Sequence, residues 1–252
     1  MDRHHEAAGL LLRARRNPAK KLPNLPAALR PTTEADAYLI QRIVMAELKP
    51  IGGWKVGSPR PDGPINGSPL PASGIRDSPG PATVQTATGP SRAVEAEIGI
   101  RLVRDLPARA DPYTEAELLA AIGSAHPMIE VLTSRFIDPD SVDALSNLAD
   151  SGAHGGLIVG PAIPGWRAID LAVETVRLLV DGQTVKAHTG NPGGPMLRLL
   201  LWMANTGSHW AGGLRAGQVI TTGSWTGKDF VQDGAPVRAE FGQCGALEIQ
   251  FS

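Results

Sequence analysis

Three glutamates sit where a folded chain rarely places charge. Glu95 and Glu97 interrupt the β-rich run Val94-Glu-Ala-Glu-Ile-Gly-Ile-Arg-Leu-Val103, and Glu130 interrupts Pro127-Met-Ile-Glu-Val-Leu132. A carboxylate among apolar neighbours is costly to bury unless it is paired, hydrogen-bonded or bound to a cation, so the fold has to supply a partner. Side chains alternate faces along a strand, which puts Glu95 and Glu97 on the same side, where like charges repel unless a cation lies between them. With Glu130 in a similar setting, the acids form an all-oxygen donor set suited to Mg²⁺ or Mn²⁺. A two-residue spacing of acids is also common on solvated strand faces, and spacing alone leaves both readings open. Against the solvated face, Ala93, Gly99 and Arg101 share the parity of the pair, and Glu130 stands between Ile129 and Val131.

The chain of 252 residues fits one large domain, organised as an N-terminal helical segment over residues 1–50 and a β-rich catalytic domain over 51–252 that together make one continuous unit. Lys plus Arg (24) balance Asp plus Glu (25) at a net charge of -1, and no basic stretch is long enough for a nucleic-acid surface, so small molecules are the expected partners. The single cysteine, Cys244, excludes an internal disulfide and a Cys-based zinc site, and agrees with a reducing, cytoplasmic setting. No apolar run suggests a membrane helix, and Gly9-Leu-Leu-Leu12, followed by Arg13, Arg15 and Arg16, is too short for a secretory core.

Residues 4 to 16 and 33 to 47 carry helical patterning; Thr33 can cap the second, and Pro50 ends it. From Gly57 to Pro90 the crowding of Gly, Pro and Ser bars a helix and predicts a long loop, where function often resides. The strand bearing Glu95 and Glu97 follows, then a helix from about Glu115 to Ser124 with the capping box Thr114-x-x-Glu117, then the strand bearing Glu130. Leu171 to Val180 reads as a strand running into the hairpin turn Asp181-Gly182, residues 195 to 206 as a helix, and Val219 to Thr222, Val237 to Phe241 and Leu247 to Phe251 as closing strands. Strands do not alternate regularly with helices, so a β-rich α+β fold is expected rather than a doubly wound sheet.

Lys55, in Gly52-Gly-Trp-Lys-Val-Gly57, is a second candidate: desolvation beside an aromatic would depress its pKa towards acid/base use, although a surface lysine fits the pattern equally. In Ala149-Asp-Ser-Gly-Ala-His-Gly-Gly156, Asp150 and His154 can face a pocket, and ordinary turn chemistry explains the run as well. Thr221-Thr-Gly-Ser224 ends an apolar strand, where hydroxyls and amides can receive an oxygen-rich ligand or serve structure alone. His126, His188 and His209 read as turn or surface residues. No phosphate loop, nucleophile elbow or His-Glu-x-x-His pattern is present.

The order of Trp-Lys-Val-Gly (54 to 57), Val-Glu-Ala-Glu-Ile (94 to 98), Arg-Asp-Leu-Pro (104 to 107), Ile-Glu-Val-x-x-Ser-Arg (129 to 135), Leu-Ala-Asp (148 to 150) and Leu-Arg-Ala-Gly-x-Val-Ile-x-Thr-Gly-Ser (214 to 224) resembles the 2-keto-4-pentenoate hydratase and 4-oxalocrotonate decarboxylase branch of the fumarylacetoacetate hydrolase superfamily. The similarity runs from about residue 35 to Phe251. It implies N-terminal helices followed by a mixed, mostly antiparallel β-roll core, a divalent metal (Mg²⁺ or Mn²⁺) on Glu95, Glu97 and Glu130, a catalytic lysine at Lys55, and substrate contacts from Thr222, Gly223, Ser224, His154 and Ser151. The implied reaction is hydration of a 2-hydroxy-2,4-dienoate, through its 2-oxo tautomer, to a 4-hydroxy-2-oxo acid in aromatic-compound catabolism. Alternatives are an oxalocrotonate-type decarboxylase, an acylpyruvate-type C–C hydrolase, and a metal-binding assembly subunit without turnover. The resemblance also implies a homo-oligomer, or a complex with a paralogous decarboxylase or hydratase. Two features depart from the family pattern: Ser151-Gly-Ala-His154 replaces an Asn-Ala-Ser turn, and Ile65 stands where relatives carry a loop acid, with Asp62 and Asp77 as possible substitutes.

Overall fold

A computed structural model describes residues 2–84 and 92–251. In chain order it contains α1 (Arg3–Arg16), α2 (Glu34–Leu48), β1 (Ile51–Gly57), β2 (Asn66–Pro71), β3 (Ile75–Asp77), β4 (Ala82–Val84), β5 (Arg92–Leu102) and β6 (Leu106–Pro107). There follow α3 (Glu115–Ala121), β7 (Ile122–Leu132), α4 (Ala144–Ala149), β8 (His154–Val159), β9 (Thr175–Val180), β10 (Gln183–Thr189) and α5 (Met196–Trp202). The chain closes with β11 (Gly213–Leu214), β12 (Val219–Thr221), β13 (Asp229–Val231), β14 (Pro236–Phe241) and β15 (Gly245–Phe251).

The larger sheet runs β2-β1-β12-β5-β7-β8-β3, with β13 also on β5; the second runs β10-β9-β14-β15-β4. Pairing is antiparallel except at β1–β12, β3–β8 and β4–β15. The fold is thus the expected helix-preceded, mixed and mostly antiparallel β-roll.

Period-two alternation divides the larger sheet into two faces. One face, carrying Trp54, Ile98, Ile100, Ile129 and Ile220, joins the main core shared with Leu178, Val237 and Ile249 of the second sheet. The other face carries the glutamates together with a small apolar cluster of Leu70, Met128, Leu157, Val159 and Val219. A separate core of Ala7, Leu11, Ile40, Phe136 and Ala149 ties α1 and α2 to α4 and to the segment after β7.

Local chemistry explains the helix ends. Thr33 with Asp36 and Thr114 with Glu117 both close capping boxes. α3 stops at Ala121, earlier than its sequence pattern suggests, because Ile122 already begins the strand that carries Glu130. The Asp181-Gly182 turn has both φ angles positive, at 50° and 74°, as a two-residue hairpin requires. The largest departure from the sequence reading is the expected loop over 57–90, which contains β2, β3 and β4; its residues 85 to 90 lie outside the described residues. Gly and Pro exclude a helix there, but β2 is an edge strand, and an edge tolerates Pro69 and Pro71. His126 is another: it is buried on β7, between Ser124 Oγ at 2.7 Å and Gly160 O at 2.8 Å. Among the described residues, no helix is long and apolar enough to cross a membrane.

The turn between α4 and β8 is held by a buried ion pair. Arg135 binds the Asp150 carboxylate through Nε, its backbone N–H donates to Asp150 Oδ2 (3.1 Å), and its Nη1 and Nη2 donate to His154 O (2.8 Å) and Asp150 O (2.6 Å). Asp150 is therefore spent on this scaffold rather than turned to a pocket. Removing one member strands a buried charge, so Asp150→Ala should cost about 3–5 kcal/mol in denaturant unfolding. A loss below about 1 kcal/mol would show that the pair does not hold the turn.

Candidate metal and catalytic site

The site is assembled by five neighbouring strands, β1, β12, β5, β7 and β8. Glu95 stands directly opposite Glu130 in the β5–β7 register, with Glu97 two residues along on the same face. Lys55 pairs in register with Thr221, and Thr221 with Gly99, which aligns lysine, threonine and glutamates across the sheet. Gly99 has no alternative on this face, since a Cβ there would lie 2.6 Å from Ile220 O and 2.7 Å from the Met128 side chain.

The donor atoms of Glu95, Glu97 and Glu130 lie within 4.8 Å of one another. Lys55 Nζ donates to both Glu130 oxygens at 2.8 Å, and His154 Nδ1 contacts Glu130 Oε1 at 2.8 Å. Thr221 Oγ1 donates to Glu97 Oε2, while Glu97 Oε1 is buried without a hydrogen-bond partner. Such an orphaned oxygen is costly in a protein interior.

The electrostatics follow from this crowding. Burial first, and then the charge of Glu130, raises Glu95; burial, then Glu130 and Glu95, pushes Glu97 well above the ordinary 4.5. Burial would raise Glu130 too, but the Lys55 ammonium and the His154 contact hold it at about 2. The Lys55 pKa is raised, contrary to the depression expected from its aromatic neighbour: burial lowers it, and the charges of Glu130, Glu95 and Glu97 more than offset that. Trp54 projects to the opposite face, where Nε1 donates to Gln218 Oε1 at 3.1 Å. Burial lowers the pKa of His154 against the Glu130 contacts that raise it, and its Nε2 is buried without a hydrogen-bond partner.

The remaining candidates divide. Thr222 turns away from the glutamates, its hydroxyl donating to Ile98 O at 2.7 Å. Gly223 takes φ 82° where the chain crosses β1, and Ser224, with a buried hydroxyl outside hydrogen-bonding geometry, is still near enough to Glu95 to favour its ionised form. Ser151 lies in a left-handed run, φ 55°, 58° and 64° through Ala153, that brings Gly152 against Lys55: a Cβ on Gly152 would stand 3.3 Å from Nζ. Ile65 packs on the main core, while Asp62 pairs with Arg60 at 2.9 Å and Asp77 pairs with Arg101, both acids exposed. Thr221 is the contact that the sequence reading passed over for Thr222; nothing in the sequence separates the two, because the β12–β5 register decides which of them meets Glu97.

Residues 76–252 match the family model described as fumarylacetoacetate (FAA) hydrolase C-terminal. The chain belongs to the fumarylacetoacetate hydrolase family. Among its relatives are a 2-keto-4-pentenoate hydratase of Paraburkholderia xenovorans (strain LB400), 29% identical over 63% of this chain and 58% of that protein, and a 4-oxalocrotonate decarboxylase of a Pseudomonas species, 28% identical over 62% and 59%. The matched segment therefore spans less than two thirds of these relatives. A solved 4-oxalocrotonate decarboxylase from Pseudomonas putida G7, complexed with magnesium and adipate, shares the fold at TM-score 0.85 and 21% identity, covering 100% of this chain and 99% of that one.

The residues present fit the divalent cation that this family implies: hard oxygen donors only, lying within 4.8 Å of one another, and one buried oxygen lacking a partner. The pH dependence of stability gives the test. Raised groups such as Glu95 and Glu97 stabilise the folded chain below 4.5, and that contribution is lost as pH rises through their folded values; the lowered Glu130 contributes above 4.5 and loses its contribution as pH falls towards about 2. Millimolar Mg²⁺ or Mn²⁺ should raise the melting temperature of the chelator-treated protein, and by more at about pH 8 than at about pH 5, where protons held by Glu95 and Glu97 compete with the cation. Glu97→Gln should remove most of the metal response. A metal response that does not change with pH would count against the cluster.

Proposed function

We infer that this chain is a divalent-metal-dependent lyase that hydrates a short 2-hydroxy-2,4-dienoate, by way of its 2-oxo tautomer, to a 4-hydroxy-2-oxo acid. The observation that carries the reading is the convergence of Glu95, Glu97 and Glu130 with the Lys55 ammonium on one sheet face. The hydratase names of several relatives support it, as does the small, near-neutral character of the chain.

A divalent cation on the three glutamates, Mg²⁺ or Mn²⁺, would supply Lewis acidity towards the carboxylate and 2-oxo oxygens of such a substrate. The protein's part is positional and protonic. Lys55 uses two N–H donors on Glu130 and keeps a third for substrate; its raised pKa keeps it an ammonium, a donor placed towards the dienol's terminal carbon rather than a base. Glu130 stays ionised and orients Nζ, His154 fixes Glu130 from the other side, and Thr221 fixes Glu97. Gly152 keeps the space over Nζ clear of a side chain.

The second reading, decarboxylation of an oxalocrotonate-type diacid, uses the same head-group site and is supported by the relative and the solved structure of that name. The two separate on products. Mg²⁺-loaded protein should bleach the ultraviolet band of 2-hydroxypenta-2,4-dienoate, whereas the decarboxylase releases carbon dioxide from a 2-oxohexenedioate. Lys55→Met should lower kcat by about 10²–10⁴-fold in whichever assay responds. A variant retaining half of the wild-type kcat would remove Lys55 from the chemistry.

A further inference from the structure

Behind the sheet from the glutamates, a cavity of about 320 Å³ opens beside the C-terminal end of α1. Val131 and Ile158 line it; both belong to the main core, and Val131 has the opposite strand parity to Glu130. Arg76 of β3 pairs in register with Ile158, so its side chain leaves the sheet on this same side.

Four cations line the cavity, Arg15, Lys21, Arg76 and Arg135, and among the described residues no acid does. Residues 85 to 91, which lie outside the described residues, contain no acid either. Asp150 is the carboxylate that acts on Arg15 and Lys21, and it is held by Arg135. Arg15, Lys21 and Arg76 make no ion pair among the described residues. Arg15 shows the cost of this gathering. Its Nη2 donates to His154 O at 2.7 Å, the carbonyl that Arg135 Nη1 also holds at 2.8 Å, and its other N–H groups have no partner among the described residues. Burial, and then the charge of Arg135, lowers its pKa to about 9, and the same two causes lower Lys21.

The cluster is the converse of the glutamates, a repulsion that an anion relieves. A guanidinium offers its donors as a planar fork matched to oxyanions, and a phosphate group, with close to two negative charges, offsets more of the excess than a carboxylate does. At roughly 30 Å³ per water the cavity takes a phosphate and leaves room for a short organic chain. We propose that Arg15, Lys21, Arg76 and Arg135 form a second binding site, for a phosphate dianion, free or carried by a small monoester, on the side of the sheet away from the glutamates. Because Arg15 and Arg135 share the His154 carbonyl, its occupant neutralises charge around the turn before β8 and stabilises the fold.

The chelator-treated protein isolates this site, since without a cation the glutamates repel anions. In calorimetry at about 0.15 M NaCl, inorganic phosphate is expected to bind at one saturable site, at least about tenfold more tightly than acetate, and to raise the melting temperature. Arg15→Gln and Arg76→Gln should each weaken phosphate by about tenfold or more, the range of a charge-assisted hydrogen bond. Arg76 is exposed, so its variant tests the site even if Arg15→Gln fails to fold. Glycerol 3-phosphate separates the sources: tighter binding than inorganic phosphate assigns the site to a monoester, and equal or weaker binding assigns it to the free ion. No saturable binding of either below about 10 mM, acetate binding as tightly as phosphate, or unchanged phosphate affinity in every folded variant overturns the site. None of these outcomes bears on the head-group reading, which needs the cation.

Discussion

The structure is organised around a repulsion: three carboxylates brought together inside a sheet. Left alone, charges this close in a poorly solvated setting would not stay ionised together. One of them, Glu130, is settled by Lys55 on both oxygens and by His154. The other two remain strained electrostatically, with raised pKa values and an oxygen of Glu97 lacking any partner. That asymmetry divides the work of the site: Glu130 links the lysine to the cluster, and Glu95 with Glu97 provides the unsatisfied demand for positive charge.

Holding such a cluster requires a stiff frame, and the remainder of the fold supplies one. β5 and β7 are each 11 residues long and pair along nearly their full length, with Glu95 facing Glu130 towards one end of the ladder and Glu97 closer to its middle. Their other face is anchored in the core shared with the second sheet, so neither strand can twist to release the charges without exposing apolar area. β12, inserted between β1 and β5, brings Thr221 to Glu97 and sets Lys55 at its distance.

The turn before β8 shows a second use of burial. Ser151 and Ala153 adopt left-handed φ angles that cost an ordinary residue about 1–2 kcal/mol each. Arg135 offsets this by holding both Asp150 and the carbonyl of His154, and Arg15 of α1 donates to that same carbonyl at 2.7 Å. The outcome is a tight ledge at Gly152 over the lysine. The N-terminal segment thus reaches the site through Arg15, which steadies the turn.

By itself the sequence determined four of the five described α-helices (not the short α4), the caps at Thr33 and Thr114, the strand character of the segments carrying the acids, and the family with its β-roll, because apolar periodicity, capping residues and the order of short motifs are local properties of the chain. It also marked Glu95, Glu97, Glu130 and Lys55, since charge inside an apolar run is visible without coordinates. Only the tertiary structure decided which groups meet. The choice of Thr221 over Thr222, the raised Lys55 pKa and the commitment of Asp150 to Arg135 all depend on register and on neighbours far away in sequence. A strand's parity tells which side chains share a face, but whether a charge is satisfied is set by what other strands and helices bring to that face.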